Sequence, residues 1–142
     1  MPVRKAEAEW KGNLAQGSGR MKTGSGSFER AYSFGSRFEE SAGTNPEELV
    51  AAAHAGCFSM ALSNGLAKAG HEPESVKTTA RVHLEKGADG FSFTKIELSC
   101  RAHVPGIDKA TFIAIADATK TGCPVSKALS AVEITMDAQL EN

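Results

Sequence analysis

A long apolar helix with clear start and stop signals constrains the fold of this chain more than any other feature. Asn45 is a natural N-cap, Pro46 suits the first helical position, and Glu48 stands where a capping box needs its acid. The following residues are mostly alanine, leucine and methionine as far as Lys68, and Gly70 is a typical C-terminal stop. A helix that is apolar on nearly all sides is usually buried. In a domain this small, such burial favours a second subunit.

Before this helix, the sequence predicts three strands. Apolar and charged residues alternate from Ala6 to Trp10, which is the two-residue period of a half-buried strand. Residues 17–27 are rich in glycine and serine, and they predict a flexible hairpin or a mobile loop. A further strand is expected at 28–34. Residues 35–44 are polar and irregular, so we expect a loop there.

After the helix, the pattern predicts two strands, a helix, a short helical piece and a last strand. The apolar phase of the second strand slips near Thr94, as a β-bulge would cause. Asp108 caps the next helix, Gly122 ends it, and Pro124 begins the short piece. The order βββ–α(α)–ββ–α–β is an α+β layout in a single domain, residues 1–142. The three strands that follow the long helix are expected at 76–84, 91–104 and 132–140.

The composition excludes several classes of function. The chain has 142 residues and a formal net charge of −1, and without a lysine or arginine block it is a poor partner for nucleic acid or an anionic membrane surface. We expect neither a signal peptide nor an apolar run near the roughly 18 residues that a membrane span needs. Three cysteines are not the even set of a secreted disulfide framework. A cytoplasmic protein is therefore expected, in which a useful disulfide is transient.

Two of the cysteines are candidates for redox chemistry. A reactive thiol needs a nearby cation, a helix N-terminus or a base. Cys57 lies in the middle of the apolar helix unless Gly56 breaks it, in which case Cys57 opens a second helix. Cys123 stands at a cap position, where amide donors are close. The alternative roles are a buried core thiol and a turn-filling thiol, and spacing does not show whether the two meet. Cys100 lies on the apolar phase of its strand and is expected in the core.

The charged and imidazole candidates are weaker on local sequence. Arg37 could be the cation that lowers the pKa of a thiol. The alternative is that it is a solvated arginine on the surface. Glu47 and Glu48 both sit in the first helical turn, where the helix dipole favours acids without any catalytic role. His54 precedes Cys57 by three residues, which is a weak zinc signal without a CxxC or HxxxH motif. No metal site is therefore expected.

The cysteine segments carry a resemblance to a known family. Residues 43–62 contain the run HAGCFSM, and residues 104–108 and 122–126 read VPGID and GCPVS. Together these segments closely resemble the OsmC branch of the OsmC/Ohr family, and the likeness covers nearly the whole chain. The resemblance implies an OsmC/Ohr-like fold in an intertwined homodimer, with central helices packed between outer antiparallel sheets.

The resemblance also implies a thiol-dependent peroxidase and roles for four residues. Cys57 matches the peroxidatic thiol and Cys123 the resolving thiol. Arg37 matches the arginine that stabilises the thiolate, and Glu47, rather than Glu48, matches the acid that holds it. The implied reaction reduces organic hydroperoxides, and hydrogen peroxide more weakly, through a Cys57 sulfenate and a Cys57–Cys123 disulfide. A small or lipoyl-type dithiol restores the thiols, and no metal or other cofactor is expected.

Three other functions remain open at this point. A non-enzymatic redox sensor would use the same thiol pair, and a structural or binding protein would bury both cysteines. An acyl transferase would need His54 as base, for which no orienting partner is visible. We also expect Phe38, Phe58 and Met60 near the site, where they would favour an organic over a polar peroxide.

Overall fold

Six strands and four helices make up the fold, and the computed structural model describes all 142 residues. Their order confirms the predicted α+β class. The chain divides into two compact units, Met1–Leu49 and Val50–Asn142; the single domain stays a prediction. In chain order the elements are β1 (Ala6–Lys11), β2 (Ser18–Thr23), β3 (Glu29–Tyr32), α1 (Phe34–Phe38), α2 (Pro46–Lys68), β4 (Ser75–Gly87), β5 (Gly90–His103), α3 (Lys109–Gly122), α4 (Pro124–Ala128) and β6 (Glu133–Leu140).

The first unit contains an antiparallel sheet of order β1-β2-β3. Residues 17–27, expected as a hairpin or a loop, include the whole of β2. Gly19 pairs with Trp10 on one side and with Tyr32 on the other, and the two aromatic rings lie 5.3 Å apart. A Cβ atom on Gly19 would come within 2.5 Å of the Tyr32 ring. The middle strand therefore needs glycine here, because the two rings occupy the space above it.

A short helix, α1, lies inside the segment that was expected to be a loop. Ser33 is its N-cap: the Ser33 hydroxyl accepts from the amide of Ser36, and the Ser36 hydroxyl accepts from the amide of Ser33. This is a capping box with serine in place of the usual acid. The Ser36 hydroxyl also donates to the carbonyl of Thr44 at 2.7 Å. The loop prediction is wrong because polar residues here cap a helix turn, and that turn carries Arg37.

The second unit contains a sheet of order β4-β5-β6. The strands β4 and β5 are antiparallel, but β6 runs parallel to β5. The expected antiparallel sheets are therefore corrected for this unit, because helices α3 and α4 carry the chain back between β5 and β6. His83 pairs with Lys95 and Leu84 pairs with Phe93. Thr94 is the extra residue between them, which confirms the predicted bulge.

Alternate residues of the sheet and one side of each long helix form the core of the second unit. Helix α2 is continuous through Gly56, so it does not break before Cys57. It buries Phe58 and Leu62, spaced one turn apart, and the prediction that Cys100 is a core residue is confirmed. The buried apolar side chains are Phe58, Leu62, Leu66, Ile96, Leu98, Cys100, Ala102, Val104, Ile107, Phe112, Ala116 and Cys123.

The length and composition of α2 correct one expectation. By these two properties alone, the helix Pro46–Lys68 is long and apolar enough to cross a membrane, so the expectation that no apolar segment approaches this length is wrong. Core helices of soluble proteins pass the same test. On α2, Phe58 is fully buried in the core, whereas Met60 remains 78% exposed. The apolar composition therefore supplies both a core face and an exposed apolar face.

Candidate active site

The second unit brings two of the predicted site residues together. Cys57 lies in the middle of α2, and Cys123 lies at the junction where α3 ends and α4 begins. The Cys57 thiol lies near the Cys123 side chain and the backbone N–H of Val125, and both groups influence its pKa. Both cysteines are free thiols; Cys57 is half-buried and Cys123 is buried. The arrangement makes the two reduced thiols neighbours, which is what reversible disulfide formation requires.

Three influences act on the pKa of the Cys57 thiol. Burial is the largest, and it raises the pKa because it disfavours the charged thiolate. The Val125 N–H lowers the pKa by donating to the sulfur, and the neighbouring Cys123 raises it. The position in the middle of α2 gives little help from the helix dipole, which acts within the terminal turns. A reactive Cys57 thiolate therefore needs a further positive partner.

The Cys123 thiol is held by a second set of contacts. Its backbone N–H donates to the Thr119 carbonyl at 3.1 Å, and its sulfur caps α4 by accepting from the Ser126 amide at 3.4 Å. The thiol donates to the Ser126 hydroxyl at 3.1 Å, and that hydroxyl lies 2.7 Å from Nε2 of His54. Burial lowers the pKa of His54. The sequence alone predicted no partner for His54. In the structure, Ser126 is that partner.

The remaining two predicted residues meet in the first unit. The Arg37 guanidinium donates to Oε1 of Glu47 through Nε at 3.1 Å and through Nη2 at 2.8 Å. The Glu47 side chain is only 11% exposed, and its Oε2 is buried without a hydrogen-bond partner. Glu48 instead accepts from the Thr44 hydroxyl at 3.3 Å. Arg37 is therefore paired with Glu47 rather than Glu48; the catalytic roles of the pair stay predictions.

A largely apolar cavity of about 410 Å³ opens beside Arg37 in the first unit. The Arg37 guanidinium lies 5.3 Å from the centre of the Phe38 ring. Of the three apolar residues expected at the site, Phe38 lines this cavity, whereas Phe58 belongs to the core of the second unit and Met60 is exposed. The aromatic and aliphatic side chains around the cavity are Trp10, Leu14, Tyr32, Phe34 and Phe38.

The thiols and the imidazole do not form a metal centre. No group of three or more histidine, cysteine or acidic side chains is placed to hold a metal ion. The candidate zinc set of His54, Cys57 and Cys123 is therefore not assembled, because Ser126 stands between the imidazole and the Cys123 thiol. That the protein needs no cofactor stays a prediction.

Two neighbouring free thiols, one on the long helix and one at a helix junction of an α+β fold, are typical of a two-cysteine thiol redox protein. The chain belongs to the OsmC family of OsmC-like proteins, whose family model matches residues 38–137. It is 51% identical over 140 residues to Peroxiredoxin OsmC of Escherichia coli K12, covering 98% of this chain and 97% of that protein.

Two further comparisons agree with this family. The chain is 36% identical over 87 residues to an organic hydroperoxide resistance protein of Xanthomonas axonopodis, covering 61% of this chain and 59% of that protein. An OsmC-like protein of unknown function from Vibrio cholerae has the same fold, with a TM-score of 0.77 and 20% identity over 98% of this chain and all of that one. The expected OsmC/Ohr-like fold is confirmed.

Proposed function

We propose that this protein is a thiol peroxidase that reduces organic hydroperoxides, and hydrogen peroxide more weakly. It is an enzyme of the OsmC branch, since its relatives include a peroxiredoxin and an organic hydroperoxide resistance protein. The observation that carries the proposal is that the free thiols of Cys57 and Cys123 are neighbours that influence each other's environment. Two neighbouring thiols can pass from sulfenate to disulfide without a large movement of the chain.

The proposed reaction has three steps. The Cys57 thiolate attacks the peroxide, so the O–O bond breaks, a sulfenate forms and an alcohol leaves. Cys123 then attacks the Cys57 sulfenic acid, which forms the disulfide and releases water. A small or lipoyl-type dithiol finally reduces the disulfide by thiol exchange. The half-buried Cys57 sulfur is the accessible end for that dithiol, because Cys123 is only 1% exposed.

Arg37 and Glu47 are proposed as the pair that favours the Cys57 thiolate. Burial raises the pKa of Cys57, so an external cation is needed, and a guanidinium stays charged throughout the working pH range. Glu47 holds Arg37 by two hydrogen bonds to one carboxylate oxygen. These hydrogen bonds orient the guanidinium in advance, which reduces the conformational entropy lost when it interacts with the Cys57 thiolate.

The preference for organic hydroperoxides rests on the cavity beside Arg37. Its lining is mainly aromatic and aliphatic, and Phe38 lies directly against the guanidinium. Apolar ligand pockets of this kind typically use a few polar groups to fix orientation. An alkyl or aryl peroxide would gain from burial of its carbon chain, whereas hydrogen peroxide has no apolar surface to bury.

We also propose a cytoplasmic homodimer that needs no metal or other cofactor and does not act on nucleic acid or a membrane. One side of α2 leaves Ala52, Gly56 and Met60 exposed at four-residue spacing. This apolar stripe, on a helix whose other side is in the core, is suited to a second copy of the chain. Sedimentation equilibrium tests the dimer, and a Met60→Glu variant should shift it toward monomer.

Intact mass after one equivalent of cumene hydroperoxide tests the peroxidase proposal. Reduced wild type should lose two hydrogens, Cys123→Ser should gain one oxygen, and Cys57→Ser should keep its reduced mass. Added dithiol should then sustain repeated turnover. Unchanged masses in all three proteins would refute the proposal, and one oxidation without turnover would favour a redox sensor that uses the same thiols.

A further inference from the structure

His54 is a buried imidazole to which the proposed peroxidase steps give no role. It is fully buried on α2, and its Nε2 lies 2.7 Å from the Ser126 hydroxyl on α4. The same hydroxyl accepts a hydrogen bond from the Cys123 thiol at 3.1 Å. A continuous chain of hydrogen bonds therefore runs from the resolving thiol through one hydroxyl to one imidazole, all within the second unit.

The direction of these hydrogen bonds fixes where protons can move. The Cys123 thiol donates to the Ser126 oxygen, so the single Ser126 hydroxyl proton is free to donate to Nε2 of His54. The imidazole then accepts at Nε2 and carries its own proton on Nδ1. Burial lowers the pKa of His54 and keeps it neutral. A neutral imidazole with an accepting Nε2 is the form that can take up a proton from the chain.

The environment of His54 differs from that of a histidine kept only for stability. Its Nδ1 is buried without a hydrogen-bond partner, whereas the large majority of buried side-chain polar atoms are paired. No charged group contributes to the shift in its pKa. The titratable groups on this chain of contacts are the thiols of Cys123 and Cys57. The arrangement leaves the imidazole one functional contact, which leads to Cys123.

We propose that Ser126 and His54 relay the proton of Cys123 when that thiol closes the disulfide with Cys57. The proposal rests on the peroxidase function above. As Cys123 attacks, its proton passes to the Ser126 oxygen and the Ser126 proton passes to Nε2 of His54. The S–O bond of the Cys57 sulfenic acid breaks and the S–S bond forms. The departing hydroxide takes a proton from solvent and leaves as water, and the His54 imidazolium returns its proton to solvent, so Cys57 is reduced and Cys123 oxidised with no net change in protonation.

The same relay works in reverse during reduction. The external dithiol attacks as a thiolate at the half-buried Cys57 sulfur, and Cys123 leaves as a thiolate. That thiolate takes a proton from Ser126, and a proton from solvent, taken up through His54, restores the Ser126 hydroxyl. A group that acts as base in one half-reaction and as acid in the other is expected of an efficient proton relay. Ser126 and His54 are therefore positioning and proton-transfer residues that act through Cys123.

Rapid quenching of the two oxidation steps tests the relay. Reduced wild type, Ser126→Ala and His54→Gln are mixed with one equivalent of cumene hydroperoxide and quenched with dimedone. Mass spectrometry then separates sulfenate from disulfide at each time. We expect sulfenate formation at the wild-type rate in both variants, and disulfide closure about 100-fold slower, which is the low end of general acid–base contributions. Ser59→Ala is the matched control, because Ser59 donates to Thr78 at 2.7 Å and lies outside the relay.

The pH profile of closure separates a relay from loss of packing. In wild type the rate should stay nearly flat between about pH 6.5 and 8, because neutral His54 accepts the proton. In both variants the rate should rise about tenfold per pH unit, since hydroxide from solvent must then take up the Cys123 proton. Closure at the wild-type rate and pH profile in both variants would overturn the relay alone. Absence of any sulfenate in wild type would overturn the peroxidase function and the relay together.

Discussion

Replacing Glu47 by glutamine should destabilise the first unit by a measurable and calculable amount. Glu47 accepts two charge-assisted hydrogen bonds from Arg37, and such bonds contribute about 1.5–3 kcal/mol each. The Arg37 side chain is 34% exposed, so water replaces part of the hydrogen bonding that the guanidinium loses, and the glutamine amide oxygen still accepts one bond. We therefore expect Glu47→Gln to lower the free energy of unfolding by about 1–2 kcal/mol.

Glu48→Gln is the matched control for this substitution. Both acids lie in the first turn of α2, so each variant loses the same favourable interaction with the helix dipole, about 0.3–1 kcal/mol. Only Glu47 contacts Arg37. Thermal unfolding followed by circular dichroism should show Glu47→Gln melting about 3–8 °C below wild type and clearly below Glu48→Gln. Equal melting temperatures in the two variants would refute the assignment of stability to the Arg37–Glu47 pair.

Three further predictions concern the second unit. Burial lowers the pKa of His54, so the unfolded chain binds more protons than the folded chain below about pH 6.5. The melting temperature of wild type should therefore fall more on acidification than that of His54→Gln. Equal dependence of melting temperature on pH in the two proteins would contradict this. Leu62→Ala should cost about 2–5 kcal/mol in urea unfolding, because Leu62 is fully buried. Iodoacetamide should modify Cys57 long before Cys100, because Cys57 is half-buried and Cys100 is fully buried; alkylation of Cys100 in the folded protein would oppose its core placement.

Most of the second unit was predictable because its signals are local and periodic. Alternation along β4 and β5 sets which side chains are buried, and the slip at Thr94 appears in the sequence as a change of phase. Asp108 and Gly70 mark helix ends through capping and through a positive φ, and both are found where expected. These features depend on a few neighbouring residues, so a single sequence contains them.

The parallel placement of β6 has no such local signal. Its alternation predicts a strand but not its direction, because the same side chains are buried whether it runs parallel or antiparallel to β5. Strand β6 pairs with β5 after the chain has passed through α3 and α4. The long connection through α3 and α4 permits the parallel placement, and that connection is a property of the whole unit rather than of β6.

The roles of Ser36 and Ser126 were not predicted from the sequence, and the same local reason applies to both. Ser36 is the third residue of α1 and Ser126 the third residue of α4, and each faces the side chain of its N-cap. The familiar capping signature has glutamate or glutamine there, so serine gave no signal. At α4 the difference has a chemical consequence. An acid at 126 would place a negative charge against Cys123 and oppose its thiolate, whereas the neutral hydroxyl links that thiol to His54. A cysteine N-cap followed three residues later by serine is thus the sequence pattern that corresponds to this link between a thiol and a hydroxyl.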